Sequence, residues 1–182
     1  MPGYAYAILA AGWLAWVARF LLFKRNRESA QKVDRRARWG MLLQVIAYAL
    51  LWQSHFWTQS LPWWRCGLGV LFFALATLLS WTAVPALGRQ WRFEAGLDSQ
   101  HQLVTTGPYR VIRHPIYTSM LCILLGTGFM VTPLLLLLLA TLIFIMGMEI
   151  RVRTEEKLLE SRFGEQFLAY RRSVPAYVPW LR

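Results

Sequence analysis

The sequence predicts an all-α integral membrane protein with five transmembrane helices, the last two forming a helical hairpin, and a cytosolic C-terminal helix. Three observations carry that reading. Of 182 residues, 57% are hydrophobic and ten are Trp, more apolar side chain than a water-soluble domain of this length conceals. Charge is nearly absent from several windows long enough to cross ~30 Å of hydrocarbon. The Lys and Arg residues gather in blocks that alternate with those windows, as expected where basic loops set orientation. The net charge of +11 is therefore first a topology signal. Nucleic acid is not the expected partner, because the basic residues flank apolar spans; the lipid bilayer is.

The first span covers about residues 4–23, with Arg19 near its inner end where it can snorkel. No basic residue precedes it, so a membrane span is expected rather than a cleaved signal peptide. Residues 24–38 hold seven Lys/Arg against Glu28 and Asp34, a cytoplasmic anchor facing lipid headgroups. The second span covers about 39–57, with Gln44, Gln53, Ser54 and His55 as its polar members. His55, beside Trp57 and Gln59, reads as an interfacial residue. The third covers about 66–88, with Pro85 near its end to kink or stop it.

Residues 89–115 form the longest polar connection, a length uncommon without a function of its own. From Ile116 to Met148 the chain is apolar, too long for one ordinary span. Gly126, Gly128, Thr132 and Pro133 break it into a hairpin of about 116–130 and 133–148. Each arm is about 22–24 Å long at ~1.5 Å per residue, so one arm continues as helix beyond the lipid or falls short of crossing. The tail, 149–182, begins as a helix with Leu158, Leu159 and Phe163 on one stripe and Gly164 as its stop. A further helical piece over 166–172 follows, and a proline-bearing extended end that packs back near the interface. The whole chain reads as one domain.

Charge checks the count. With five passes the blocks at 24–38, 89–113 and from Arg151 onward share one side, with seven, four and seven Lys/Arg, and the other side has only Arg65. Four passes would put the basic tail outside, against the positive-inside rule. Cys66 and Cys122 lie in apolar surroundings and read as small core hydrophobes. His55, His101 and His114 have no metal-ligand spacing, and no metal is expected.

Two polar groups face the cytosol: the loop up to Tyr117 and the helix from Glu149 to Glu160. The topology brings them to one mouth. Arg151 and Glu155 are four apart and share a helix face, with Arg first, the weaker order for helix stabilisation. Glu149, close to lipid, needs a partner, and Arg153 is a candidate. Pro108 and Pro115 each push the preceding residue out of helical space. Tyr109, Arg113, His114 and Tyr117 suit either a headgroup anchor or a pocket for a charged organic ligand, whose cation an aromatic face can hold.

The spaced set Gly107-Pro108-Tyr109, Arg113-His114-Pro115-Ile116-Tyr117, an apolar hairpin, then Arg151, Glu155-Glu156, Phe163-Gly164, Phe167, Tyr170, Val174-Pro175 and Pro179 resembles the isoprenylcysteine carboxyl methyltransferase family. The related phospholipid N-methyltransferases share its Arg-His-Pro and Glu-Glu signatures. The resemblance covers roughly residues 90–181. It implies S-adenosylmethionine as cofactor, with S-adenosylhomocysteine as product, in a pocket between the loop and the tail helix. By that pattern His101, Gln102, Leu103, Val104, Tyr109, His114, Pro115, Ile116, Tyr117 and Glu155 bind the cofactor, with Glu94 and Glu156 as further candidates. Glu94 stands where the family has Gln, and Thr118-Ser119 where a small residue, often Gly, follows the Tyr. Arg151 matches the arginine that faces the substrate.

The implied reaction is methyl transfer to a lipophilic acceptor arriving laterally from the bilayer. Carboxyl methylation of an isoprenylcysteine-like substrate leads, with N-methylation of a phosphatidylethanolamine headgroup as alternative. A carboxylate acceptor is already ionised at neutral pH and needs no general base; an amine must lose a proton, to Glu156 or His114. A non-enzymatic carrier or assembly factor is the reading from another class, and apart from Arg19 near an edge spans one to three lack the intramembrane charges that would favour it. The implied compartment is the inner membrane in a bacterium or the endoplasmic reticulum in a eukaryote, with the site facing the cytosol.

Overall fold

A computed structural model describes residues 1–22, 32–33, 36–54, 60–88, 96–97 and 102–178. Among the described residues the regular structure is all-helical apart from one two-residue strand pair. The helices are α1 (Gly3–Leu22), α2 (Ala37–Leu50), α3 (Trp63–Leu87), α4 (Pro115–Val131), α5 (Leu134–Phe163) and α6 (Glu165–Ser173), with a short 3-10 turn over Gly107–Arg110 before α4. Strands β1 (Lys32–Val33) and β2 (Gly96–Leu97) pair antiparallel, Lys32 opposite Leu97 and Val33 opposite Gly96. The two polar loops are thus tied together. α1, α3 and α5 are long and apolar enough to cross a membrane; α2 and α4 are apolar but shorter, at 14 and 17 residues.

Packing follows close backbone approach rather than hairpin neighbourhood. α4 packs most extensively on α3, α5 on α2, and α1 on α3; the α4–α5 contact is smaller. A Cβ on Gly69 would lie 2.7 Å from the Met130 side chain and 3.3 Å from the Gly126 carbonyl oxygen. α3 and α4 therefore meet through small residues, the usual means of association where lipid removes the hydrophobic drive. Polar side chains add links. Trp13 donates to Thr127 at 3.0 Å and Trp16 to Ser119 at 3.1 Å, fixing α1 to α4. Tyr48 of α2 donates to the Met120 carbonyl at 2.8 Å.

Three boundaries differ from the sequence reading, and the continuation of the fifth span into the tail helix follows it. The second helix stops at Leu50, short of 57; the Leu51 carbonyl accepts the Thr132 hydroxyl at 2.7 Å, a partner from the α4–α5 turn. His55 lies outside the described residues. α3 begins at Trp63, directly after Pro62. Gly126 and Gly128 do not break the apolar run. Both are buried inside α4, facing Phe73 and Leu137, and the break falls at Thr132 and Pro133, which are extended. The fifth span and the tail helix are one continuous helix of 30 residues, about 45 Å at ~1.5 Å per residue. Its second half carries Arg151 to Glu160. It stops at Gly164, whose φ of 50° suits a residue without a Cβ.

Candidate active site

The mouth of the bundle is made by the N-terminus of α4, the middle of α5 and the end of α1. His114 precedes Pro115 and is non-helical, with φ −126° and ψ 58°, as a residue before proline avoids the α region, and the chain turns there into α4. The C-terminal segment holds that corner. The backbone N–H groups of Arg113 and His114 donate to the carbonyls of Pro175 and Ala176 at 2.8 and 3.0 Å. The Thr118 hydroxyl donates to the Tyr177 carbonyl at 3.1 Å. Tyr170 of α6 donates to the Tyr109 carbonyl at 2.6 Å; burial pushes its phenol up to about 12, so it stays a donor at neutral pH.

Around this corner lies a cavity of about 310 Å³. One wall is apolar: Trp16, Val17, Phe20 and Leu21 of α1, Leu87 of α3 and Met120 of α4. The other is polar and aromatic: Tyr109, Arg113, His114, Ile116 and Tyr117, facing Arg151 and Glu155 of α5. Arg151 is 8% exposed. Its guanidinium donates to Gln44 Oε1 at 3.1 Å and sits 5.0 Å from the Tyr117 ring centre. The Tyr117 hydroxyl interacts with both Glu155 and Arg151.

A second cavity, of about 490 Å³, lies on the outer side of α5 and is charged. Here Glu156 pairs with Arg113 Nη2 at 2.9 Å, with His114 Nε2 at 3.1 Å and with Arg171 at 3.4 Å. Arg113 also donates to the carbonyls of Arg171, at 3.0 Å, and Val174. Burial pushes the Glu156 carboxyl up, but the bonds from His114 and Arg113 outweigh it and hold it below the usual carboxylate range. Glu149 finds the expected Arg153 at 2.7 Å, and Tyr177 besides at 2.5 Å. Burial raises its carboxyl too, and these two partners bring it down.

Six residues singled out from sequence thus meet in the first cavity: Tyr109, His114, Ile116, Tyr117, Arg151 and Glu155. Pro115 is buried and shapes the corner without lining the cavity. Glu156 turns away into the ion cluster. Gln102 is exposed, Leu103 and Val104 are half-buried, and none of the three lines the cavity. His101 and Glu94 lie outside the described residues. Arg113, named with Tyr109, His114 and Tyr117 for a ligand pocket, lines the cavity too; sequence reasoning missed the apolar wall and Gln44 as the partner of Arg151. The Trp16–Phe20 spacing of one helical turn and the presence of a Gln inside a span were the available signals. Among the described residues no group of three His, Cys, Asp or Glu could hold a metal ion.

The bundle and its mouth define a class: a membrane protein with a small-molecule cavity, apolar on one side and charged on the other, at the end of its helices. Residues 64–166, more than half of the chain, match the family model described as phospholipid methyltransferase. The chain belongs to that family. It is 31% identical over 122 residues to protein-S-isoprenylcysteine O-methyltransferase B of Arabidopsis thaliana, covering 65% of this chain and 61% of that protein. It is 35% identical over 82 residues to the Schizosaccharomyces pombe protein-S-isoprenylcysteine O-methyltransferase, covering 45% and 35%. It is 36% identical over 115 residues to the cobalt-zinc-cadmium resistance protein CzcN of Cupriavidus metallidurans, covering 63% and 49%. The chain thus spans less than two thirds of the length of these curated relatives.

Proposed function

We propose that the protein is a membrane methyltransferase that uses S-adenosylmethionine to methylate a lipophilic acceptor, the lead being carboxyl methylation of an isoprenylcysteine-like substrate. One observation carries this: a single cavity joins the apolar face of α1 to the Arg151 and Glu155 face of α5 through Tyr109, His114 and Tyr117. A lipophilic tail suits the first wall and a charged cofactor the second. The five passes, the cytosolic side of the mouth and lateral arrival of the acceptor belong to the same proposal, supported by the basic blocks on one side.

The residues fit the cofactor. The volume is at the small end of the ~300–1,000 Å³ usual for ligand pockets. Tyr109, His114, Ile116, Tyr117 and Glu155 would hold it, with Pro115 fixing the turn, and the family resemblance adds His101, Gln102, Leu103 and Val104. Glu155 offers a carboxylate to hydroxyl or ammonium groups, and the tyrosine faces suit a cation. When bound, the cofactor supplies an electrophilic methyl group on a sulfonium. The protein then has mainly to align donor and acceptor. Arg151 is placed to take an acceptor carboxylate by charge-assisted hydrogen bonds, and a carboxylate needs no base. In the phospholipid reading, for which the family description speaks, Arg151 would hold the phosphate instead. His114 would then be the proton acceptor nearest the cavity, with Glu156 bonded behind it.

The test is labelled S-adenosylmethionine with the purified protein and each acceptor in bilayer discs. A base-labile methyl ester is the expected product. A base-stable label would replace carboxyl with amine methylation, and no cofactor binding by calorimetry would overturn both. Glu155→Ala is expected to weaken cofactor binding, and wild-type affinity in that variant would remove Glu155 from the site.

A further inference from the structure

One buried polar side chain has no role so far. Gln44 is 2% exposed and lies on α2, which contributes nothing else to the mouth. Its Oε1 accepts from Arg151 at 3.1 Å. The backbone is shaped for that contact. A Cβ on Gly40 would lie 2.4 Å from the Gly147 carbonyl and 2.6 Å from Arg151 Cγ. A Cβ on Gly147 would lie 2.6 Å from the Gly40 carbonyl and 3.2 Å from the Gln44 nitrogen. Gly40 and Gln44, one turn apart on α2, therefore meet Gly147 and Arg151, one turn apart on α5. The glycines let the helices touch, the stem of Arg151 lies over Gly40, and its head reaches Gln44.

The chemistry of this partner is informative. A guanidinium buried among apolar helices is held most strongly by a carboxylate. Gln44 is neutral: its amide oxygen orients the guanidinium of Arg151. The ring of Tyr117 lies 5.0 Å from it.

We infer that Gln44 is a positioning residue that holds Arg151 for an anionic head on the acceptor. This rests on the proposed role of Arg151 toward the acceptor. A carboxylate and a phosphodiester share the required chemistry, so the experiment carries one arm for each: an S-prenylated cysteine with a free carboxylate, and phosphatidylethanolamine.

The deciding variant is Gln44→Glu. Among the described residues the Gln44 Nε2 has no hydrogen-bond partner, so replacing that nitrogen by oxygen breaks no bond in the fold. A purely structural Gln44 would accept the change, with unfolding temperature kept or raised by a new pair with Arg151. A positioning Gln44 keeps the fold but loses the acceptor, because residue 44 now competes for the guanidinium. Acceptor binding to the full chain in bilayer discs is measured directly, alongside acceptor KM, kcat and cofactor affinity. The expected result for Gln44→Glu is at least about tenfold weaker acceptor binding and higher KM, with cofactor affinity unchanged. Gln44→Ala is expected to lower kcat, and Gln44→Asn to restore part of it. Acceptor affinity and KM within twofold of wild type in both Gln44→Glu and Gln44→Ala would overturn the inference. If the wild type binds acceptor but transfers no methyl group, the methyltransferase reading falls, and the direct binding arm still decides the role of Gln44.

Discussion

Two arginines are buried at opposite ends of the bundle, and their partners separate structure from chemistry. Arg65 is 4% exposed at the start of α3. It donates to the carbonyl of Phe129 at 2.7 Å, to that of Gly128 at 3.4 Å and to that of Thr132. These carbonyls cluster at the C-terminal end of α4, the negative end of the helix dipole, and that of Gly128 also accepts the Thr132 N–H at 3.0 Å. Arg65 is thus a clamp between α3 and α4. Arg151 is also buried, but the side chains of Gln44 and Tyr117 are among its contacts, and it lines a cavity. Burial alone says nothing about function. Backbone partners mark a closure of the fold, whereas a guanidinium that lines a cavity stands where a ligand can reach it.

The largest effect should come from the cavity arginine. Arg151→Ala is expected to lower kcat/KM by about two to three orders of magnitude, the cost of removing one partner from a desolvated charged contact. Cofactor affinity should stay near wild type. Arg65→Ala should do the reverse: destabilise by about 2–3 kcal/mol through orphaned carbonyls, seen in unfolding temperature, with turnover per folded molecule preserved. If Arg65→Ala cut turnover as deeply as Arg151→Ala, the distinction between the two would collapse.

The sequence revealed different things at these two ends. The all-helical class and the hairpin turn at Thr132-Pro133 were legible, because apolar runs and proline act locally. The meeting of Tyr109, His114 and Tyr117 with Arg151 and Glu155 was legible through topology and family resemblance together. Helix pairing was not. Gly40 against Gly147 and Gly69 against Gly126 are matches between distant positions, and no single stretch announces which glycine faces which. The same limit hid Gln44, a polar residue whose meaning depends on the helix it touches. Gly126 and Gly128 misled for the opposite reason: glycine signals a break in sequence but a close contact between helices in a membrane.

The next effect sharpens the contrast within the mouth itself, between the cavity and the ion cluster behind it. The depressed Glu156 carboxyl contributes stability that is full above its ordinary value of 4.5 and is lost as the pH falls through its lower folded value. Unfolding temperature should therefore drop over that acid range in the wild type. Glu156→Gln should be less stable at neutral pH, and its deficit should shrink as the pH is lowered. An equal deficit at all pH values would mean that packing, not the bonds from His114 and Arg113, keeps Glu156 in place.

The smallest effect is expected where an ion pair looks similar on paper. Arg153 pairs with Glu149 at 2.7 Å, but its side chain is 74% exposed against 9% for Glu156. Water screens the exposed pair and the long side chain loses freedom in forming it, so such pairs contribute little. Glu149 also keeps Tyr177 when Arg153 is removed. Arg153→Ala should leave both unfolding temperature and turnover within error of wild type. The tether from Tyr177 to Glu149 is the more exposed question, since it holds the C-terminal segment over His114. Tyr177→Phe should raise the KM for cofactor by a few-fold while Arg153→Ala does not. Equal behaviour of the two variants would mean that the backbone bonds of Arg113 and His114 to Pro175 and Ala176 fix the corner without help from either side chain.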